Sequence, residues 1–248
     1  MNKKDRAILY GLAIGDGHIS YRTRLKDGKY RYEQAELMLG HGPQQKRYLE
    51  WKAELLQKIF GGKLPKVSEK HYTSKTTGKT YLGYAAAKTA VYFRQMHRVL
   101  YSEDKKKIIT DQVLSYLDDF SLALWFMDDG NIIHNTSKDG NITSIFFRIT
   151  TQVTEEEADR IVLWLRTIYQ IEAKKYLSKG KWDIGGGTSA TLKLSEVIID
   201  HIHPDLFYKF KSVAKLTICK SARHPLVVMS AGDDIVRTVE NTIGSVTP

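Results

Sequence analysis

The chain has 248 residues, 42% of them hydrophobic, with 38 Lys and Arg against 28 Asp and Glu, a net charge of +10, and a single cysteine, Cys219. That composition excludes a disordered chain, a disulfide framework and a Cys-based zinc site. No stretch approaches the ~20 apolar residues of a membrane span; the N-terminal MNKKDRAILYGLAIGDG is not a signal peptide, and the positive surplus points to a polyanionic partner.

Ile8, Leu9, Leu12 and Ile14 predict a helix over 5–15 that must end at Asp16-Gly17. YRTRLK and KYRYEQAELML alternate on either side of Asp27-Gly28, a strong hairpin signal. Taken as a two-residue turn, Asp27-Gly28 sets Lys26 against Lys29, Arg24 against Arg31 and Arg22 against Glu33, all on one face. Like charges set opposite one another destabilise a free sheet, so such a face makes sense against phosphates. Pro43 opens a helix that runs to about Phe60 and stops at Gly61-Gly62. Residues 63–87 read as two strands around Thr77-Gly78, and 88–100 as a further helix.

The pattern then recurs. LALWFM is a second apolar helix, ending in Asp128-Asp129-Gly130, and a second hairpin follows around Asp139-Gly140. Thr154, followed by Glu155, Glu156 and Glu157, starts a helix to about Tyr169. Two short strands flank Lys179-Gly180, and a last helix covers roughly 189–201. Asp16 and Asp129 stand 113 residues apart, the two Asp-Gly hairpins 112, and the helix-ending Phe60 and Tyr169 109. Three landmarks at nearly one offset imply an internal duplication, αββαββα twice. The second hairpin presents His134, Asn135, Lys138 and Arg148, which suit hydrogen bonding to bases and phosphates. Residues 1–120 carry 23 basic against 13 acidic residues, residues 121–224 carry 14 against 12, and residues 225–248 carry 1 against 3.

An acid at the C-terminus of a helix faces the negative end of the dipole. Two such acids, Asp16 and Asp129, at repeated positions imply a nearby cation, and carboxylate oxygens suit Mg²⁺. IGGGTSAT reads as a turn and helix start, and His201-Ile-His203 as a helix end. GLAIGDG lacks the Lys-Ser/Thr of a P-loop. The absence of a starting Cys or Ser and of a His-Asn end argues against an intein.

LYGLAIGDG and LALWFMDDG, with SIFFRITTQVTEEEADRIVLWLRTIYQI, KKKIITDQVL and LFYKFKS around them, resemble the LAGLIDADG homing endonucleases of the single-chain, two-motif, intron-encoded type. The resemblance covers about residues 5–220. It implies an α+β fold of two pseudo-symmetric αββαββα halves, 1–120 and 121–224, with saddle-shaped antiparallel sheets and the motif helices at the interface. Residues 225–248 have no counterpart in it. It also implies a monomeric enzyme, and the single cysteine implies an intracellular, reducing compartment (cytoplasm, organelle matrix or the host cell of a phage). That enzyme would cut both strands of a long, nearly asymmetric DNA site with Mg²⁺, or Mn²⁺ in its place, leaving short 3′ overhangs. The family's metal-binding catalytic acids map to Asp16 and Asp129, with Asp128 a weaker candidate. Its lysines map to Lys106, with Lys105 and Lys107 as alternatives in the same run, and to Lys209. Gln152 maps to its "TQ" turn; Gln34 or Glu36 would be the first-half equivalent. Arg22, Arg24, Lys26, Lys29, Arg31, His134, Asn135, Lys138 and Arg148 are the expected DNA contacts. The alternative is an intron-RNA maturase or a non-cleaving DNA-binding protein of the same fold, and loss of the two acids would signal it.

Overall fold

A computed structural model of the chain describes residues 1–26, 30–73 and 76–216, and of residues 22–26 and 30–34 it describes the backbone. The chain divides into two compact units. One holds Met1–Ile108 and Ser115–Ser121; the other holds Ile109–Leu114 and the chain from Leu122 onward. No helix among the described residues is long and apolar enough to cross a membrane.

In the first unit, helix α1 (Lys3–Ile14) starts at Asn2, whose side chain accepts a hydrogen bond from the Asp5 backbone N–H at 2.8 Å. From Ala7 onward every residue of α1 is buried. Strands β1 (His18–Lys26) and β2 (Tyr30–His41) follow. Pro43–Gln45 forms a 3₁₀ turn that leads into α2 (Lys46–Phe60), so the proline sits at a helical entry as its fixed φ requires. Gly61, at φ +65°, ends α2. Strands β3 (Ser68–Thr73) and β4 (Thr80–Thr89) and helix α3 (Tyr92–Leu100) complete the unit. The sheet is antiparallel in the order β1-β2-β4-β3. Its alternate positions Ile19, Ala35, Leu37, Leu39 and Ala86 are buried, and α2 and α3 lie against it with Leu49, Ala53, Leu56, Phe93 and Met96 buried in turn.

The first hairpin departs from the expected register by one residue. Lys26 pairs with Tyr30, Arg24 with Tyr32 and Arg22 with Gln34, while Arg31 pairs with Leu25. Three residues, 27–29, separate the paired ends where the Asp27-Gly28 reading allowed two, and a one-residue slip exchanges the faces of one strand relative to the other. The pairing that set Arg24 against Arg31 and Arg22 against Glu33 is therefore not formed. Lys29 and the Asp27-Gly28 turn lie outside the described residues.

The second unit repeats the order. After a single turn, α4 (Asp111–Leu114), come α5 (Asp119–Asp129, its first three residues in the first unit), β5 (Gly130–Thr136), β6 (Ile142–Val153), α6 (Glu155–Tyr169), β7 (Lys174–Ser178), β8 (Lys181–Gly186) and α7 (Thr188–Ile198). Its sheet runs β5-β6-β8-β7, the same topology. The duplication extends to element lengths: β2 and β6 have 12 residues each, and α2 and α6 have 15. α6 opens with a capping box. Thr154 Oγ1 accepts from Glu157 N at 3.3 Å, and Glu157 Oε2 accepts from Thr154 N at 2.8 Å. The other oxygen of this buried Glu157 accepts from Ile109 N at 2.8 Å, tying α6 to the segment before α4. Lys179 and Gly180 both adopt positive φ, as a two-residue hairpin turn needs. Gly187 precedes α7, and Thr191 Oγ1 donates to Gly186 O at 3.1 Å and Gly187 O at 2.9 Å, so IGGGTSAT is a turn and helix start. A 3₁₀ turn at Ile199–His201 and the His203 cap of a 3₁₀ helix, Pro204–Phe210, make His201-Ile-His203 a helix end.

Candidate functional site

Both motif helices end the same way, and the glycine after each aspartate explains why. Gly17 N donates to Leu12 O at 3.1 Å, and a Cβ built at Gly17 would stand 2.2 Å from that oxygen. A Cβ at Gly130 would stand 2.5 Å from Phe126 O and 2.3 Å from the Phe126 ring. The chain leaves each helix too close to its last turn for any side chain but hydrogen. Asp16 is held at this exit with 41% of its side chain exposed, between buried Gly15 and Gly17. Asp128 and Asp129, the last residues of α5, are half-buried.

A lysine closes each helix end. Lys107 Nζ donates to Gly15 O at 2.7 Å and Ile14 O at 3.5 Å. Lys209 Nζ donates to Gly130 O at 2.6 Å and Met127 O at 2.7 Å. These are carbonyls that the last turn of a helix, or the residue just beyond it, leaves unsatisfied, and an ammonium there also suits the dipole. Lys209, the second-half candidate, is the lysine on the carbonyls of the α5 end. Of the run held open in the first half, Lys106 is exposed and its alternative, Lys107, is the lysine at the motif helix. The cause is a tight turn. Ser102 N donates to Lys106 O, Lys105 takes φ +59°, and Tyr101 bridges Lys107, so Lys105 and Lys106 ride the exposed bend and Lys107 returns to the body.

Gln152 sits at φ +51°, where β6 slips register against β8. Its backbone N–H and its side-chain Nε2 both donate to Asp183 Oδ1, at 3.3 and 3.1 Å. Asp183 is buried, and its other oxygen accepts the Arg148 guanidinium at 2.5 and 3.1 Å. Arg148 thus pairs with Asp183 while 37% of its side chain stays exposed. His134 Nδ1 is 2.8 Å from Ser212 Oγ, Asn135 Nδ2 donates to Ser144 Oγ at 2.9 Å, and Lys138 is exposed. A groove of about 670 Å³ brings His134 together with Lys209, Lys211, Ser212 and Lys215. The side chains of Arg22, Arg24, Lys26, Lys29, Arg31 and Gln34 lie outside the described residues. Glu36 accepts from Thr89 Oγ1 at 3.5 Å.

The sequence reading missed His41, Lys52 and Asp183. His41, 2% exposed, ends β2 with Nδ1 3.4 Å from Asp16 Oδ2 and Nε2 2.9 Å from the buried Lys52 Nζ. A cavity of about 440 Å³ joins Asp16, His41, Gln45 and Tyr72. One signal was readable: Tyr48, Lys52 and Leu56 share the buried stripe of α2 at i, i+4 spacing, an unusual place for a lysine.

The donor chemistry fits a hard divalent cation. Each unit offers carboxylate oxygen at a helix C-terminus, where negative charge is disfavoured without a positive partner, and oxygen donors are what Mg²⁺ takes.

Comparison with known proteins agrees with this architecture. The model of the LAGLIDADG DNA endonuclease family matches residues 6–194. Among curated proteins, Protein RecA of Mycolicibacterium flavescens is 26% identical over 209 residues, 82% of this chain and 45% of that protein. The intron-encoded endonuclease ai4 of Dictyostelium discoideum is 27% identical over 124 residues, 47% of this chain and 69% of that protein. The chain spans about half the length of the RecA relatives it matches. Among solved structures, the homing endonuclease I-WcaI bound to its DNA recognition sequence has the same fold, with a TM-score of 0.66 at 20% identity over 84% of this chain and 86% of that one. A double mutant of I-SmaMI gives 0.54 at 12% identity over 95% and 97%. With a family model spanning most of its length and both motif helices ending in the same aspartate–glycine–lysine arrangement, the chain belongs to the LAGLIDADG DNA endonuclease family.

Proposed function

We propose that the chain is a site-specific double-strand DNA endonuclease that hydrolyses phosphodiesters with a divalent metal and leaves short 3′ overhangs. The observation that carries this reading is the repeated helix end: an aspartate beside a glycine that admits no side chain, and a lysine anchored on the carbonyls of the same exit. Asp16 in the half 1–120 and Asp129 in the half 121–224 would hold the metal. When bound, Mg²⁺ lowers the pKa of the attacking water and neutralises the leaving oxygen. Lys107 and Lys209 bring a fixed positive charge to the same ends, where it offsets the charge that develops on the phosphate. Their carbonyl hydrogen bonds hold each Nζ in place before substrate arrives, so little reorganisation is needed. Gln152, fixed by Asp183, aligns water or the DNA backbone. Basic residues of the first hairpin grip phosphates, while His134, Asn135 and Lys138 contact DNA from the second half. The retained acids speak for cleavage over RNA binding alone.

The test is a supercoiled DNA library incubated with protein and Mg²⁺, with cut ends read by sequencing. A single recurring site with 3′ overhangs is expected. Asp16→Asn or Asp129→Asn should abolish double-strand cleavage while DNA binding persists; full activity in either variant refutes the site. No cleavage of any sequence, with tight binding to intron RNA instead, refutes the enzyme.

A further inference from the structure

The two units build one corner differently. Strand β2 ends at His41 where β6 ends at Val153, each the twelfth residue of its strand. Helix α2 carries Lys52 where α6 carries Ile161, each the seventh residue of a 15-residue helix. Val153 and Ile161 are buried apolar side chains, so the fold itself asks for no charge at this place. Lys52 is nevertheless fully buried. A buried ion costs several kcal/mol after relaxation, and it persists only where partners offset that cost.

The partners form a chain. Lys52 Nζ lies 2.9 Å from His41 Nε2 and 4.4 Å from the centre of the Tyr48 ring. An ammonium has only donors, so Nε2 accepts and the imidazole carries its proton on Nδ1. Nδ1 faces two oxygen acceptors, Gln45 Oε1 at 3.2 Å and Asp16 Oδ2 at 3.4 Å. The hydrogen bonds thus run outward from the core, Lys52 Nζ to His41 Nε2 and His41 Nδ1 to Gln45 Oε1, with Asp16 Oδ2 3.4 Å from the same ring nitrogen. Gln45 comes from the 3₁₀ turn before α2, so turn and helix both meet the His41 ring at the strand end beside Asp16.

We propose that Lys52 and His41 are positioning residues for Asp16. The buried cation locks the Nδ1–H tautomer, and that N–H holds one carboxylate oxygen so that the other is oriented toward the divalent cation. Partners one step removed from a metal commonly act this way, and removing them costs about 10–100-fold in metal affinity. Val153 and Ile161, at the matching positions of the second unit, have no side-chain hydrogen-bonding group, so the device is argued for Asp16. The inference rests on Asp16 being a metal-binding carboxylate, and the experiment separates the two claims.

The full-length protein is labelled with ¹⁵N at histidine, and the His41 ring is observed by NMR with no metal present. The Nδ1–H tautomer is expected in the native protein, with Nε2–H gaining population in Lys52→Met. Mn²⁺ is then titrated into the native protein and into Lys52→Met, His41→Leu, His41→Asn and Asp16→Asn. Lys52→Met and His41→Leu should weaken Mn²⁺ binding about 10-fold or more. His41→Asn, which keeps an N–H at the Nδ1 position, should recover most of the affinity. Lys52→Met introduces an apolar side chain where the other unit has Ile161, so the fold should hold; the two His41 variants give the answer independently if it does not. If Asp16→Asn weakens Mn²⁺ but the His41 and Lys52 variants change only the urea midpoint, the positioning role is overturned and the metal site stands. If Asp16→Asn leaves Mn²⁺ affinity unchanged, both are overturned.

Discussion

Lys107 and Lys209 make the same contact from unrelated sequence surroundings, one from a three-lysine run and one from LFYKFKS. Local pattern cannot choose within Lys105, Lys106 and Lys107, because the choice depends on a turn closed by Ser102 and on a bridge to Tyr101. Lys209 came from the resemblance of LFYKFKS to the family's second basic segment. Lys107→Met and Lys209→Met should each lower the single-turnover cleavage rate about 10²-fold or more with DNA affinity little changed, while Lys106→Met should stay near the native rate. Arg148 teaches the complementary lesson. As a basic residue on a hairpin it reads as a DNA contact, and Asp183, 35 residues away, also pairs with its guanidinium. Only the pairing of β6 with β8 brings them together.

The aspartate–glycine pair is an element-scale feature, since it sets how a helix becomes a strand. Ala at Gly17 or Gly130 would drive Cβ into a backbone carbonyl at 2.2 or 2.5 Å, a clash that no rotamer relieves. Each substitution should cost about 1–3 kcal/mol in urea unfolding, and cleavage should fall further than stability because the neighbouring carboxylate shifts with the chain. Helix α3 carries a second element-scale expectation. Burial, then the nearby His18 and Lys105, hold the His97 imidazole below its ordinary 6.5, where it stacks on Tyr101 at 4.6 Å. A histidine depressed in the fold binds its proton more readily when unfolded. Its contribution is therefore present above pH 6.5 and disappears as pH falls toward the folded value. The melting temperature should drop as the pH is lowered through 6.5, and less steeply in His97→Phe; an equal drop in both would show that His97 is not the group responsible. The first hairpin shows the limit of element-level reading. Alternation located both strands, but their backbone register differs by one residue from that of a two-residue turn, and register is what local alternation specifies least.

For the whole molecule, the +10 is an uneven footprint. All of that value belongs to residues 1–120, with 23 basic against 13 acidic residues, while 121–224 add 14 against 12. We propose that the first half supplies most of the phosphate contacts. Replacing Arg22, Arg24 and Arg31 by Gln should flatten the salt dependence of DNA binding by up to about 0.9 in log–log slope for each phosphate no longer neutralised, and more than Lys138→Gln does. An equal effect from the two hairpins would remove the asymmetry. The sequence by itself determined the duplication, the order of elements in each half, the two helix-ending aspartates and the family. These depend on hydrophobic period, helix stops and short motifs, all of which act within a few residues. The tertiary structure alone decided which lysine of the 105–107 run reaches the first helix end, the register of the first hairpin, the pairing of Arg148 with Asp183, and the placing of buried Lys52 and His41 beside Asp16. Each of these joins residues on different elements, often far apart along the chain, and a contact of that kind exists only once packing has chosen which side chains share a buried space.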